Sequence, residues 1–123
     1  MTAFGDLIPP PVTLDHEQVG SAHVVHLVGD LSRREALRLH DALFDVGHEA
    51  GQVVLDMTGV EFISASGIGL LVELHRHLVD HGRAVVLAHV NPLVRDLLRL
   101  TNVDTILPVW DSVDAVIAAE AAV

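Results

Sequence analysis

The chain has 123 residues, half of them hydrophobic, which suffices for one domain with a substantial core and is too short for two. Its formal net charge of −10 disfavours binding to nucleic acid or to an anionic membrane surface, because both require clustered cations. All seven cations are arginines and cysteine is absent, so a Walker-type phosphate loop, a lysine Schiff base and a disulfide framework are excluded.

The N-terminal stretch, residues 1–11, ends in three consecutive prolines. Because such a run favours an extended conformation and lacks backbone donors, we expect a flexible leader followed by one domain at residues 12–123. The stretch has neither the positive region nor the sustained apolar core of a signal peptide. No apolar run reaches membrane-spanning length. The sequence therefore predicts a cytoplasmic protein without membrane insertion.

Two strands are predicted near the start of this domain. The first is a short apolar segment at residues 12–14, and the second is the Val-rich run at residues 22–28. The polar residues between them indicate a connection. Gly-Asp-Leu-Ser at residues 29–32 ends the second strand, because glycine and small polar residues interrupt strand patterns.

The first helix is predicted from a capping-box pattern, in which Ser32 is followed three residues later by Glu35. The helix should end near residues 48–51. The apolar residues recur at three- and four-residue spacing and predict a buried face made of Ala36, Leu37, His40, Leu43, Phe44 and Gly47.

A short apolar run at residues 53–55 is typical of a strand buried on both faces, as in a parallel sheet covered by helices. Asp56 follows it directly. A carboxylate at the end of such a strand can be catalytic, although it more often stabilises the following turn through its side chain.

A strand pattern gives way to a helix pattern at residues 62–72, a stretch that contains Ser64, Ser66, Gly67 and Gly69. The first N–H groups of a helix lack internal partners, and the helix dipole places partial positive charge there. A serine at this point can therefore cap the helix or carry a phosphate. The helix should run from about residue 67 to residue 80, with a buried face made of Ile68, Leu71, Val72, His75, Leu78 and Val79.

The remaining chain continues the alternation of strands and helices. Residues 84–88 are predicted as a strand, and Asn91-Pro92 opens a helix whose apolar stripe is Leu93, Val94, Leu97 and Leu98. A short strand is expected at residues 105–109. Asp111-Ser112 should cap a last helix through about residue 121. The order predicts an α/β domain with a mostly parallel central sheet, an antiparallel N-terminal strand pair and about four helices.

Three kinds of chemical site are weak alternatives. The Gly-Ile-Gly of residues 67–69 lacks the third glycine of a dinucleotide-binding turn, and Ser66 lacks the preceding glycine of a hydrolase nucleophile. His77 and His81 have the i, i+4 spacing of metal ligands, but a third ligand is not evident, and His75 is expected to be a hydrogen-bonded core residue. The sequence predicts no enzyme, no cofactor and no metal site.

Several segments resemble, in order and spacing, the STAS domain of bacterial anti-sigma factor antagonists. They are residues 29–32, residues 53–71 and residues 98–103, and the resemblance covers about residues 12–118. It implies a protein that binds an anti-sigma factor, usually a serine kinase, and thereby frees a sigma factor. It also implies that phosphorylation of a serine just before the glycine at the start of the second helix prevents binding. By position that serine is similar to Ser66.

The resemblance implies a partner-binding surface made of Ser32, Ser64, Ser66, Gly67 and Leu70. Two acidic residues of the usual family pattern are absent. The family's Asp-Ser-Ser-Gly is Ser-Ala-Ser-Gly here, with Ser64 at the acidic position, and the acidic residue closing Gly-Glu-Leu-Asp is Ser32. These differences keep a second function open, a STAS-like subunit of a transporter or sensory complex that docks or binds a small ligand.

Overall fold

The computed structural model describes residues 12–49 and 52–121, so the predicted leader at residues 1–11 lies outside the described residues. The elements in chain order are β1 (Thr13–Val19), β2 (Ala22–Val28), α1 (Arg33–Glu49), β3 (Gln52–Gly59), α2 (Ala65–Asp80), β4 (Ala84–Ala88), α3 (Pro92–Leu100), a 3₁₀ turn (Val103–Thr105), β5 (Val109–Trp110) and α4 (Val113–Ala121).

The five strands form one sheet in the order β1-β2-β3-β4-β5. β1 is antiparallel to β2, and the other neighbours are parallel. This arrangement, with four α-helices, confirms the predicted α/β fold. Because parallel strands end at the same edge of a sheet, the loops that follow β2, β3 and β4 meet there. That edge therefore holds the starts of α1, α2 and α3.

The two faces of the sheet have different covers. Residues of α1, α2 and α3 pack with alternate strand residues, including Val25 and Leu55, in the main core. On the other face Val116 of α4 packs in a smaller cluster with strand residues of the opposite parity, namely Ala22, Val24, Val54, Val86 and Ala88.

Strand β1 is longer than predicted. It was expected at residues 12–14, but it runs from Thr13 to Val19 and pairs along its whole length with β2. Its polar residues are mostly exposed, because β1 lies at the end of the sheet and contributes little to the core. An amphipathic edge strand of this kind lacks the apolar run by which buried strands are found.

The strand predicted at residues 105–109 is wrong for most of its length. Only Val109 pairs with β4, as the first residue of the two-residue β5. The amides of Ile106 and Leu107 both donate to the Val103 carbonyl, at 3.0 and 2.9 Å. Their hydrogen bonds are therefore made within a turn, which buries Leu107 and leaves no ladder to extend.

The start of α1 is predicted correctly, but its capping box does not form. Glu35 is buried and accepts a hydrogen bond from the Val12 amide at 3.3 Å, and it also pairs with Arg38. The Ser32 side chain forms no hydrogen bond with any described residue, while its carbonyl accepts the Ala36 amide at 2.8 Å. The Glu35 carboxylate thus holds the chain that precedes β1.

The buried face of α1 differs from the predicted one. Leu37 was expected in the core, yet 73% of its surface is exposed, and His40 is only half-buried. Leu39 and Val46 are buried instead. The burial of Glu35 turns the helix so that positions 35, 39, 43 and 46 face the sheet. The burial of Gly47 is not among the features that the structure describes.

The faces of α2 and α3 are predicted in part. Val79 and Leu93 are half exposed, although both were assigned to buried stripes. Leu70 and Leu74, which lie outside the predicted α2 stripe, are buried. His75 is half-buried and its Nδ1 has no hydrogen-bond partner among the described residues, so the expected core hydrogen bond is absent there.

Two loops bring the starts of α1 and α2 together. Leu31 forms an isolated parallel bridge with Ile63, in which the Leu31 amide donates to the Phe62 carbonyl at 2.9 Å. The Ser64 amide donates in turn to the Leu31 carbonyl at 3.0 Å. Each helix begins two residues after this bridge. The parallel pairing of β2 with β3 is thereby extended up to the helix N-termini.

Gly67 allows α2 to approach this bridge. A β-carbon built on Gly67 would lie 2.4 Å from the Leu31 carbonyl oxygen and 2.7 Å from Ile63 Cγ1. We expect Gly67→Ala to lower the free energy of unfolding by about 2–3 kcal/mol, because backbone must move to relieve the contact. Urea denaturation measures this loss.

Gly69 provides the matched control within the same helix. Nothing lies within 4 Å of a β-carbon at this position. Gly69→Ala should therefore raise the free energy of unfolding by about 0.5–1 kcal/mol, since alanine is the better helix former. Equal effects of the two substitutions would show that the approach to Leu31 does not limit residue 67.

Candidate functional site

The two serines at the start of α2 have different environments. Ser64 is the N-cap residue, and its Oγ accepts a hydrogen bond from the Gly67 amide at 3.2 Å. The same hydroxyl lies 3.3 Å from the Leu31 carbonyl, to which it donates. Ser66 is exposed in the first turn, and its side chain forms no hydrogen bond with any described residue. Capping is therefore the role of Ser64, and the Ser66 hydroxyl is available for chemistry.

The Ser66 side chain lies on a groove between α1 and α2, which we call the α1–α2 groove. This groove has a volume of about 300 Å³ and is lined by Arg33, Ala36, Leu37, His40, Ser66, Gly69, Leu70 and Glu73. Leu37 is largely exposed, whereas Leu70 is 4% exposed and forms part of the buried lining. The groove thus has an apolar middle with charged residues at its ends.

A second groove borders the other side of the α2 N-terminus, and we call it the α2–α3 groove. Its volume is about 470 Å³, and it is lined by Phe62, Ile63, Ser64, Ala65, Ile68, Leu97 and Thr101. Its lining is almost entirely apolar. Phe62 is 43% exposed and the neighbouring α3 residue Leu100 is 78% exposed, so large apolar side chains face solvent here. Such exposure is typical of interaction surfaces.

The far end of the α1–α2 groove carries a polar cluster. His40 Nε2 lies 3.4 Å from a Glu73 carboxylate oxygen, and His40 Nδ1 lies 3.1 Å from Asp41. The His40 ring also stacks on Phe44, with ring centroids 4.3 Å apart. These contacts fix His40 across the gap between the two helices.

The other predicted site residues lie close to Ser66. Gly67 is buried against the Leu31 carbonyl, and Leu70 lies beneath the α1–α2 groove. Ser32 immediately precedes α1 and is half-buried. The structure thus gathers all five at one edge of the sheet.

Some residues of this edge are missed by the sequence analysis. Leu37 and His40 were assigned to the core, and Arg33, Phe62 and Glu73 were given no site role. For Leu37 the sequence allows both positions, because residues 36, 39, 43 and 46 form a second apolar stripe at helical spacing that leaves it outside. Nothing in the local sequence indicates that Arg33 and Ser66 share a groove.

Asp56 stabilises its turn, as the more common of its two interpretations predicts. One carboxylate oxygen accepts the Thr58 amide at 3.0 Å and the Thr58 hydroxyl, and the other lies 2.6 Å from His26 Nδ1. This pair lies on the sheet face that α4 covers, across the sheet from Ser66.

The pair shifts both pKa values. The hydrogen bond to Asp56 raises the pKa of His26, with a weaker contribution from Glu17 at 3.4 Å, and outweighs the opposing effect of burial. Burial alone would raise the pKa of Asp56, but the hydrogen bonds from Thr58 and His26 outweigh it, so the pKa lies below its ordinary value. His26 and Asp56 therefore attract each other as ions.

Among the described residues there is neither a group of metal ligands nor a membrane-spanning helix. Within residues 12–49 and 52–121, no three His, Cys, Asp or Glu side chains are grouped to hold a metal ion. His77 and His81 have adjacent rings with centroids 4.7 Å apart, but no third metal ligand is grouped with them. Across the same residues, every helix is too short or too polar to cross a bilayer.

Because Ser64 and Ser66 have different roles, the same substitution at each should change the free energy of unfolding by different amounts. Ser64→Ala should lower the free energy of unfolding by about 1 kcal/mol, because it removes the cap of α2. Ser66→Ala should change it by less than about 0.5 kcal/mol, because no hydrogen bond is lost. Chemical denaturation of the two variants side by side makes the comparison, and a larger loss at Ser66 would contradict the assignment.

The His26–Asp56 pair predicts a pH-dependent stability. Since the pKa of His26 is raised, its contribution is complete below the ordinary value of about 6.5 and is lost as the pH rises through the raised pKa. The contribution of Asp56 is present above about pH 4 and is lost as the pH falls through its lowered pKa. The difference in unfolding free energy between wild type and His26→Gln should therefore be largest at pH 5–6 and shrink towards pH 8.5. Asp56→Asn should flatten the same profile, and a constant difference would contradict it.

Comparison with known proteins places the chain in a family. The family model described as "Mlab, STAS domain" matches residues 14–108. An anti-sigma factor antagonist from Mycobacterium paratuberculosis is 23% identical, with a TM-score of 0.80 over 88% of this chain and 92% of that chain.

The anti-sigma factor antagonist SpoIIAA is similar in two states. Its unphosphorylated form is 16% identical with a TM-score of 0.76, over 90% of this chain and 98% of that chain. The phosphorylated form of SpoIIAA, a Bacillus cell fate determinant, is 15% identical with a TM-score of 0.67, over 87% of this chain and 99% of that chain.

A protein of a different class has the same fold. The sulfate transporter family protein from Wolinella succinogenes is 21% identical, with a TM-score of 0.73 over 84% of this chain and 87% of that chain. At these identities the structural likeness establishes the fold alone. Because the family model spans most of the sequence and the similar structures share its architecture, the chain belongs to the STAS domain family.

Proposed function

We propose that this chain is an anti-sigma factor antagonist, a regulatory protein without catalytic activity of its own. In this proposal the edge of the sheet around Ser66 binds an anti-sigma factor that is also a serine protein kinase, and binding frees a sigma factor for transcription. Phosphorylation of Ser66 by the kinase prevents the binding. The proposal implies a cytoplasmic phosphoprotein.

One observation carries the proposal: Ser66 is an exposed serine whose hydroxyl has no structural task among the described residues. Ser64 supplies the cap of α2, so modifying Ser66 costs the helix no hydrogen bond. Ser66 also lies on the α1–α2 groove, with the α2–α3 groove on the other side of the same helix start. A group added there affects association more than folding.

The exposed apolar side chains support an interface at this edge. Leu37 faces the first groove, while Phe62 and the neighbouring Leu100 are exposed beside the second. A partner that covers them removes apolar surface from water at about 25 cal/mol per Å². The interface proposed from sequence, made of Ser32, Ser64, Ser66, Gly67 and Leu70, forms the polar and buried middle of this surface.

A phosphate on Ser66 opposes such association for two physical reasons. It brings a charge of about −1.5 to −2 to a surface that the partner must desolvate. It also occupies part of a groove of about 300 Å³, which is small enough for one added group to change its shape. Neither effect requires a change of fold.

The modification itself is an ordinary phosphoryl transfer from ATP. The Ser66 Oγ attacks the γ-phosphorus, the bond from that phosphorus to the bridging oxygen breaks, and ADP leaves. The hydroxyl proton passes to a base of the kinase. In this step the chain supplies the hydroxyl, held at the rigid start of α2.

The similarity to a sulfate transporter family protein favours a second candidate function. In it the same edge docks permanently within a transport or sensory assembly, or holds a small ligand. Ser32 and Ser64, where the antagonist pattern has carboxylates, are compatible with this use. The two candidates differ in whether phosphate on Ser66 regulates the association.

Incubation with ATP and an anti-sigma serine kinase of the same organism tests the main proposal. Mass spectrometry should find one phosphate on Ser66, and none at this position in Ser66→Ala. Ser64→Ala serves as the control for the identity of the acceptor, because it keeps the Ser66 hydroxyl and should still carry the phosphate there. Phosphate only at other residues would overturn the site assignment.

Calorimetric titration with the same kinase tests whether it binds at the α1–α2 groove. We expect Ser66→Ala to bind as wild type does, and the phosphorylated protein to bind at least tenfold more weakly. Gly69→Leu should also weaken binding about tenfold while the fold remains stable, because a β-carbon at residue 69 meets no atom within 4 Å and the longer side chain would occupy the α1–α2 groove. Binding unaffected by phosphate on Ser66 would favour the docking function instead.

A further inference from the structure

Arg33 lies in the same groove as the proposed phosphorylation site. It is the first residue of α1 and lines the α1–α2 groove together with Ser66. The bridge between Leu31 and Ile63 places the starts of α1 and α2 side by side. Arg33 follows this bridge by two residues on one chain segment and Ser66 by three on the other. The two side chains therefore belong to the same end of the groove.

The charge of Arg33 is not used elsewhere in the described structure. Arg38, Arg95 and Arg99 each pair with a carboxylate. Arg33 forms no ion pair or hydrogen bond with any residue of 12–49 or 52–121, although acidic residues outnumber basic ones 17 to 7 in the sequence. Its guanidinium faces the groove and is available to an anion.

The remaining charged residues of the groove are at its other end. Glu73 is seven residues beyond Ser66 on α2, and His40 is seven residues beyond Arg33 on α1, so each lies about 10 Å further along its helix. Glu73 is already engaged by His40 at 3.4 Å. Its charge is separated from Ser66 by about one Debye length at physiological salt. Among the charged residues that line the groove, Arg33 is thus the one at the Ser66 end.

We propose that Arg33 holds the phosphate on Ser66 and draws it across the α1–α2 groove. This inference rests on the proposed function, since it gives the mechanism by which that modification acts. The Gly67 amide is already taken by the Ser64 hydroxyl, so the helix end offers the phosphate fewer donors than an uncapped one. A guanidinium supplies paired N–H donors that match phosphate oxygens. The held phosphate then blocks the groove beside Leu37.

Phosphorus NMR of the protein with phosphoserine at position 66, encoded during synthesis, tests this contact without a kinase or a partner. The pKa of the second phosphate ionisation should lie below that of free phosphoserine. Arg33→Gln should move the titration midpoint up by about half a pH unit, because the charged phosphate loses an opposite charge. Arg33→Lys should retain part of the effect, since it keeps the charge and loses the paired donors.

Arg34→Gln is the matched control, with the same charge removed one residue further along α1 and outside the groove lining. It should leave the midpoint within about 0.1 pH unit of the parent. A midpoint unaffected by Arg33→Gln, or moved equally by Arg34→Gln, would overturn the inference. Either outcome leaves the proposed function standing, because that depends on partner binding. Conversely, a kinase that does not phosphorylate Ser66 would contradict the proposed function and would leave the contact between Arg33 and the phosphate untouched.

Discussion

The carbonyl oxygen of Leu31 accepts hydrogen bonds from the amide and the hydroxyl of Ser64, and a β-carbon on residue 67 would collide with it. This one acceptor joins the loop after β2 to the start of α2. It explains why a hydroxyl is found at position 64 and why no side chain is found at position 67. The distance between α1 and α2, and with it the width of the groove beside Ser66, depends on that contact.

The same contact separates structural from functional roles within three residues. Ser64 is bound to the backbone on two sides and Gly67 is buried, whereas Ser66 between them is exposed. A hydroxyl that carries a regulatory phosphate must be accessible, and the fold must not depend on its hydrogen bonds. A capping hydroxyl cannot meet both conditions, because the helix depends on its hydrogen bond. Here Ser64 caps the helix two residues before Ser66, so the Ser66 hydroxyl meets both.

The sequence predicts the order of elements and the helix starts, because these depend on neighbours. Ser64, Asn91 and Ser112 each accept a hydrogen bond from an amide three residues later, and such caps are visible in local sequence. Distant contacts decide what the sequence does not reveal. Glu35 binds the amide of a residue 23 positions away, and this turns α1 so that Leu37 faces solvent.

The candidate site shows the same division between features set by neighbouring residues and features set by distant contacts. The motif around Ser66 indicates the proposed phosphorylation site and its glycine neighbour, since both are adjacent in the chain. The second wall of the groove comes from α1, more than twenty residues earlier, and the apolar positions there fit two overlapping helical stripes equally well. Only the packing against the sheet decides between them, so Arg33 and Leu37 could not be assigned from the sequence.

Asn91 gives this edge a further property. Its amide group donates to the carbonyls of Val60 and Glu61 at 3.1 and 3.2 Å, while its oxygen accepts the Val94 amide. The start of α3 is thereby tied to the loop that leads to Ser64, and through Leu31 to α1. Under the proposed function, a partner would meet three helix ends that are already tied to one another. Little conformational entropy would then be lost on association, so a modest contact area would suffice and one added phosphate could dissociate the complex.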